Sequence, residues 1–266
     1  MLVLQNISKT FNPGTINEKK ALDGLNLHLR PGDFVTVIGC NGAGKSTMLN
    51  AAAGVWPVDE GRIILDGEDI TALPEHKRAH LIGRVFQDPM MGTAPNMQLE
   101  ENLALAARRG QRRGLSWGVT NAEREEYHER LKILGLGLED RMTSKVGLLS
   151  GGQRQAVTLL MAVLRKPKLL LLDEHTAALD PGTAAKVLEL SDKIVQENNL
   201  TTLMITHNMK DAIRHGNRLI MMNEGHIILD IEGEEKKKLT KQQLIDMFAQ
   251  KGASIDSDET LLTKGG

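Results

Sequence analysis

Near the start of the chain apolar and polar positions alternate, in LVLQNIS and ALDGLNLHL, with a period of two that predicts half-buried strands. The polar, turn-rich stretch FNPGTINEKK connects them. FVTVIG (34–39) is short, apolar and rich in β-branched residues, so it predicts a buried strand; it runs into CNGAGKSTMLNAAAG, which becomes helical after Ser46 and Thr47. GRIILDGEDI predicts another strand, turning at Asp66 and Gly67. From about Asp88 to Gly147 the period changes to that of helices, in NMQLEENLALAARRG and TNAEREEYHERLKILG, with a high density of charge. Helix and strand then alternate: GGQRQAVTLLMAVLRK (helix), PKLLLLDE (buried strand), TAAKVLELSDKIVQEN (helix), LTTLMITH (strand), NMKDAIRHG (helix) and NRLIMMNEGHIILD, a hairpin turning at Glu224 and Gly225. EGEEKKKLTKQQLIDMFAQKG predicts one terminal helix, and residues 253–266 a frayed end.

This order predicts an α/β fold whose mostly parallel sheet is flanked by helices, with an antiparallel β subdomain at the start and an inserted helical subdomain. A chain of 266 residues can bury the core this needs. With 41% hydrophobic and 25% charged residues, the disordered and fibrous classes drop out. The net charge of -1 argues against a duplex nucleic-acid binder, which needs a basic footprint. The single cysteine, Cys40, rules out a disulfide framework and fits a reducing compartment. Neither a signal peptide nor an apolar run of membrane-spanning length is expected, so membrane association would come through a partner.

The chemistry is concentrated in a few segments. GCNGAGKS (39–46) matches G-x-x-x-x-G-K-S, and lies after an apolar strand and at the start of a helix, as a phosphate loop requires. Gly39, Gly42 and Gly44 let the backbone curl its N–H groups inward, Lys45 reaches the β and γ phosphates, and the Ser46 hydroxyl is a ligand for Mg²⁺. Asn41, Ala43 and Thr47 complete the nucleotide-binding set. Cys40 inside the loop reads as a crowded small side chain, since no nearby histidine would activate it.

LLLLDE ends a buried strand in two carboxylates: Asp173 is placed to hold Mg²⁺, and Glu174 to polarise the water that attacks the γ phosphorus. His207 ends another strand and is a γ-phosphate contact; Gln87, after RVF, is a candidate ligand for Mg²⁺ or for the attacking water. LSGGQ (149–153) stands directly before a helix and supplies a second anion-reading segment.

In their order and spacing these residues resemble the ATP-binding cassette ATPases of ABC transporters over almost the whole chain. GCNGAGKS matches the first nucleotide motif, Gln87 the glutamine loop, LSGGQ the signature, LLLLDE the second nucleotide motif, AALD (177–180) the segment after it, and His207 the switch histidine. The resemblance implies a P-loop NTPase core with the antiparallel subdomain (1–87 and 155–235), a helical signature subdomain (88–154) and a C-terminal helix and tail (236–266). It implies ATP and Mg²⁺ as cofactors. It also implies a head-to-tail pair with a second or homologous cassette, in which Ser150, Gly151, Gly152 and Gln153 read the γ phosphate of ATP held by the partner. Asp180 would then stand at the dimer interface and couple the two sites, and Phe11 would stack on adenine. His175 departs from the family, which commonly has proline there, and Cys40 from a usual proline or serine.

Without a fused membrane segment, the chain is similar to bacterial import subunits on the cytoplasmic face of the membrane. Such subunits dock on separate transmembrane permease proteins served by an extracytoplasmic substrate-binding protein. LAARRGQRRGLSWG and DEHTAALDP are similar to cassettes of tryptophan- or tyrosine-type uptake systems. The other class is a non-transport cassette in regulation, assembly or nucleic-acid work. Only the basic run Arg108, Arg109, Arg112 and Arg113 speaks for it, and a solvated helix end accounts for that run; no nucleic acid is expected.

Overall fold

A computed structural model of the protein describes residues 1–111 and 118–251. Arg112, Arg113 and Trp117 of the basic segment, and the expected frayed end, lie outside them. Along the chain come β1 (Leu2–Phe11), β2 (Lys19–Leu29), β3 (Phe34–Gly39), α1 (Lys45–Ala53), β4 (Glu60–Leu65), β5 (Glu68–Asp69), α2 (Glu75–Arg78) and β6 (Ile82–Val85). They are followed by α3 (Leu99–Ala107), α4 (Asn121–Lys132), α5 (Gly151–Val163), β7 (Leu169–Asp173), α6 (Pro181–Asn198), β8 (Thr202–Ile205), α7 (Met209–Arg214), β9 (Arg218–Asn223), β10 (His226–Glu232), α8 (Gly233–Lys237) and α9 (Lys241–Gln250). None of the described helices is long and apolar enough to cross a membrane.

The chain divides into two compact units. The first comprises Met1–Arg78 and the chain from Asn199 onward. It holds an antiparallel sheet in the order β2-β1-β4-β5 and a second array in the order β10-β9-β3-β8. Every residue of β3 is buried, because β8 and β9 flank it in parallel: Val37 lies opposite Ile205 on one side and Ile220 on the other. Buried Val and Ile side chains each contribute about 1.5–3 kcal/mol, which explains why this run carries no polar alternation.

Arg78 closes the far end of α1. Its guanidinium donates to the carbonyls of Ala51 and Ala52 at 2.8 Å, Leu73 at 2.7 Å and Thr71 at 2.9 Å. A cation on the last carbonyls of a helix satisfies orphan acceptors and complements the dipole. Burial pushes this guanidinium below its ordinary pKa.

The end of the first unit corrects one expectation. The predicted single terminal helix is two, α8 and α9, because Thr240 starts a new one: its hydroxyl accepts from the Gln243 N–H and the Gln243 side chain returns to the Thr240 N–H, a capping box. Lys236 is buried and donates to the carbonyls of His215 and Gly216, which pins α8 before the break.

The second unit is Ala79–Asn198. β6 and β7 pair in parallel from Ile82 opposite Leu169 to Val85 opposite Leu172. α5 lies so close to β6 that a Cβ added at Gly83 would come within 2.5 Å of the Ala162 carbonyl oxygen. That packing groups β6, α5 and β7 with the helical segment in this unit. Capping boxes open α3 (Gln98 with Glu101), α4 (Thr120 with Glu123) and α5 (Ser150 with Gln153). Arg124 of α4 forks onto the Glu100 carboxylate of α3 at 2.7 and 2.9 Å.

Candidate functional site

In the first unit the site begins where β3 ends. Gly39 (φ +150°), Gly42 (+82°) and Gly44 (+98°) curl the chain into a loop before α1. Gly39 and Gly44 have no room for a side chain: added Cβ atoms would meet the Met222 carbonyl oxygen at 2.2 Å and that of Ala21 at 2.5 Å. Asn41, Gly42 and Ser46 are exposed, Thr47 is half-buried, and Ala43 is buried. Lys45 is only 5% exposed, and its ammonium folds back onto the loop, donating to the carbonyls of Gly39 at 2.6 Å and Cys40 at 2.9 Å. A curled backbone at a helix start with an inward lysine fits a polyphosphate chain. Cys40 is partly buried and packs against the apolar cluster that includes Ile38, Met209, Leu219 and Met221, in keeping with a crowded small residue.

His207 leaves β8 at the level where Gly39 leaves β3, since Val37 and Ile205 are partners and both strands run the same way. The Thr206 N–H donates to Val37 O at 3.1 Å, and His207 is half-buried. Phe11 ends β1, half-buried, with Trp56 edge-to-face against it at 4.9 Å between ring centroids.

In the second unit β7 delivers Asp173 at its end, where Arg84 of β6 donates through Nη2 to Oδ2 at 3.2 Å. Glu174 follows in the left-handed region (φ +48°). This is an uncommon conformation for a residue with a side chain and recurs at functional turns. Ala177 N–H donates to Glu174 O at 2.9 Å and closes the turn.

His175 is anchored on α6. It is 2% exposed and Nε2 lies 3.0 Å from Ser191 Oγ, whose hydroxyl is already spent on Val187 O at 2.8 Å. The imidazole is therefore the donor, with its proton on Nε2, and the side chain tethers the post-Glu174 turn to α6.

The signature turn opens α5 and packs against the start of α6. Ser150 Oγ accepts from the Gln153 N–H at 3.2 Å and caps α5, an acceptor role that leaves its O–H as a donor. An added Cβ at Gly152 would lie 2.1 Å from Thr183 Cγ2, and one at Gly151 3.3 Å from Leu179 Cδ2. Asp180 caps α6 through the Thr183 N–H at 3.0 Å, and hydrogen bonds from Thr183, side chain and then backbone, hold its carboxyl below the usual range. The first turn of α5 thus packs, at Gly151 and Gly152, against Leu179 and Thr183 at the start of α6, which Asp180 caps. Gln87 follows Phe86, whose carbonyl accepts from Gln155 Nε2 of α5 at 3.1 Å.

Trp56, Arg84, Gln155 and the His175–Ser191 tether are absent from the expected set. Arg84 and Gln155 stand close to segments already singled out, yet their roles depend on strand register and helix phase.

Among the described residues no group of three or more His, Cys, Asp or Glu side chains forms a metal cage. Mg²⁺ that accompanies phosphates usually takes one or two protein oxygens, and the Ser46 hydroxyl and the Asp173 carboxylate are groups of that kind.

The family model for ABC transporters matches residues 22–177. The chain is 45% identical over 249 residues to the tyrosine transport ATP-binding protein of Clostridioides difficile, covering 93% of this chain and 98% of that one. It is 34% identical to a methionine import ATP-binding protein of Corynebacterium diphtheriae over 98% of this chain and 76% of that one. A dimeric ATP-binding cassette solved in a post-hydrolysis state with ADP and Pi superposes with a TM-score of 0.74 at 31% identity, covering 87% of this chain and 98% of that one. With a phosphate loop, an acidic strand end and an LSGGQ turn in these places, the chain belongs to the ABC transporter family, as its ATP-binding and ATP-hydrolysing component.

Proposed function

We propose that the chain is the ATPase subunit of a multi-subunit importer for an amino acid or related small solute, acting in a head-to-tail pair with a second or homologous cassette. The observation that carries this reading is the start of α5. Its first turn is exposed at Ser150 and Gly151 and braced on α6 through Gly152, while the phosphate loop of the same chain heads a different helix, α1. A second built anion-reading turn has use when another copy supplies a phosphate.

In this reading the loop N–H groups from Gly39 to Thr47 and the Lys45 ammonium hold the phosphates, and Phe11 stacks on adenine. Ser46, Asp173 and Gln87 hold Mg²⁺, which would neutralise phosphate charge. Glu174 polarises the attacking water, His207 contacts the γ phosphate, and Ser150, Gly151, Gly152 and Gln153 read the partner's ATP beside Asp180. Transmembrane permease subunits dock near 87–99, where Met90 and Met91 are exposed, and hold the chain at the cytoplasmic face. An extracytoplasmic binding protein completes the system. The tyrosine-transport relative supports the amino-acid cargo.

Mixing two variants tests the composite site. Ser150→Arg damages the signature and Lys45→Ala the loop, so a heterodimer of the two has one doubly damaged and one intact site. Energy transfer between labelled subunits should show more ATP-driven closure in the mixture than in either variant alone. Equal closure in all three, with heterodimers verified, overturns the assignment.

A further inference from the structure

Trp56 has no place in the motifs, yet several independent contacts hold its segment against the end of β1. The α1 helix ends at Gly54 (φ +81°), whose N–H bonds back to Ala51 O at 3.1 Å, and the next residues turn toward β1. Trp56 meets Phe11 with rings 4.9 Å apart and 81° between their planes. Three residues on, the Asp59 carboxylate takes the Lys9 ammonium at 2.7 Å and the Thr10 N–H at 2.6 Å, and the Asp59 N–H donates to Ser8 O at 2.8 Å. Trp56 and Asp59 therefore clamp the last four residues of β1, Ser8 to Phe11. The Lys9 ammonium stands 5.9 Å from the Phe11 centroid, at the outer edge of cation–π range.

An edge-to-face neighbour covers at most one face of a ring, and Phe11 is half-buried, so part of it stays open to solvent beside the brace. Without the brace, a phenylalanine at a strand end would sample several rotamers and lose that freedom on binding.

We propose that Trp56 is a positioning residue of the nucleobase site: it fixes the Phe11 ring as a ready platform, so that the two ends of one helix serve one nucleotide, phosphates at the start of α1 and base at the brace that follows its end. This rests on the assignment of Phe11 to the base, and the test separates the two.

Trp56 and Trp117 are the two tryptophans of the chain, so Trp117→Phe in the full-length protein makes Trp56 the sole reporter. ATP should change its emission saturably, whereas inorganic tripolyphosphate, which has no base, should not; an unresponsive Trp56 overturns the proposal. Trp56→Leu should weaken ATP binding about threefold to tenfold and leave tripolyphosphate binding unchanged, and Trp56→Phe should restore ATP binding to within about twofold. Phe11→Leu should lower the same ratio of affinities. If Phe11→Leu lowers it and Trp56→Leu does not, the brace is wrong while the platform stands. If Phe11→Leu leaves the ratio unchanged, the base assignment of Phe11 falls, and the proposal with it.

Discussion

Arg84 and Asp173 form an ion pair on one face of the β6–β7 ladder, with Nη2 3.2 Å from Oδ2. The register explains it. Arg84 lies opposite Leu171, so the next β7 residue on the same face is Asp173; Phe86, just past the end of β6, sets its ring centroid 4.5 Å from the guanidinium. The two side chains are only 13% and 16% exposed, so the carboxylate proposed to hold Mg²⁺ has a resident counter-charge.

Arg84→Met keeps the packing on Phe86 and removes that charge. The nucleotide-free protein should lose about 1–2 kcal/mol of stability, less than for a fully buried pair because both groups keep some solvent. Mg²⁺ with ATP should raise Tm more in the variant than in the parent, since the metal replaces the missing cation. Thermal unfolding with and without Mg²⁺-ATP checks both effects. A double-mutant cycle with Asp173→Asn should show that the coupling belongs to this pair.

Glu174→Gln should bind ATP as the parent does and lower turnover at least about a hundredfold, because an amide cannot accept the proton of the attacking water. Gel filtration with ATP and Mg²⁺ should then show a trapped dimer. Near-parental hydrolysis would mean that another residue is the base. His175 would be a poor substitute, since it is buried and donates to Ser191.

Gly152→Ala would place a methyl group where Thr183 Cγ2 already sits, 2.1 Å away. The first turns of α5 and α6 must separate, which should cost about 1–3 kcal/mol and weaken the ATP-driven dimer. Thr183→Ser removes that methyl and keeps the hydroxyl, so the double variant should recover most of the loss. Denaturant unfolding and ATP-dependent dimerisation of both proteins measure this.

His175→Ala removes a buried hydrogen bond and leaves a small void, with an expected loss of about 2 kcal/mol in urea unfolding. Ser191→Ala should cost about 1–3 kcal/mol, because it strands the Nε2 donor of His175 in the interior.

The loop of Gly39–Ser46, the acidic end of LLLLDE and the LSGGQ turn were legible because each is a local device. Backbone curvature, strand burial and helix capping depend on residues within a few positions of each other, and the chemistry follows from their types. The hairpin at Glu224 and Gly225 and the start of α5 at Ser150 follow for the same reason. The single terminal helix failed on a local signal as well, for T-x-x-Q at 240–243 is itself a start signal inside a helical run. Partners far apart in sequence were beyond such reading. Arg84 is 89 residues from Asp173, and which of them face each other depends on the β6–β7 register; a slip of one residue would turn the side chains to opposite faces. Gly152 looks like a phosphate-reading glycine, and only the approach of α6 shows that Thr183 leaves it no space. His175, which the sequence places only beside Glu174, is a buried tether once Ser191 is seen, and Trp56 gains a role only where the end of α1 meets the end of β1. Composition and spacing specify groups and local turns, whereas distance, burial and the pairing of distant side chains arise when packing brings separate segments to the same place.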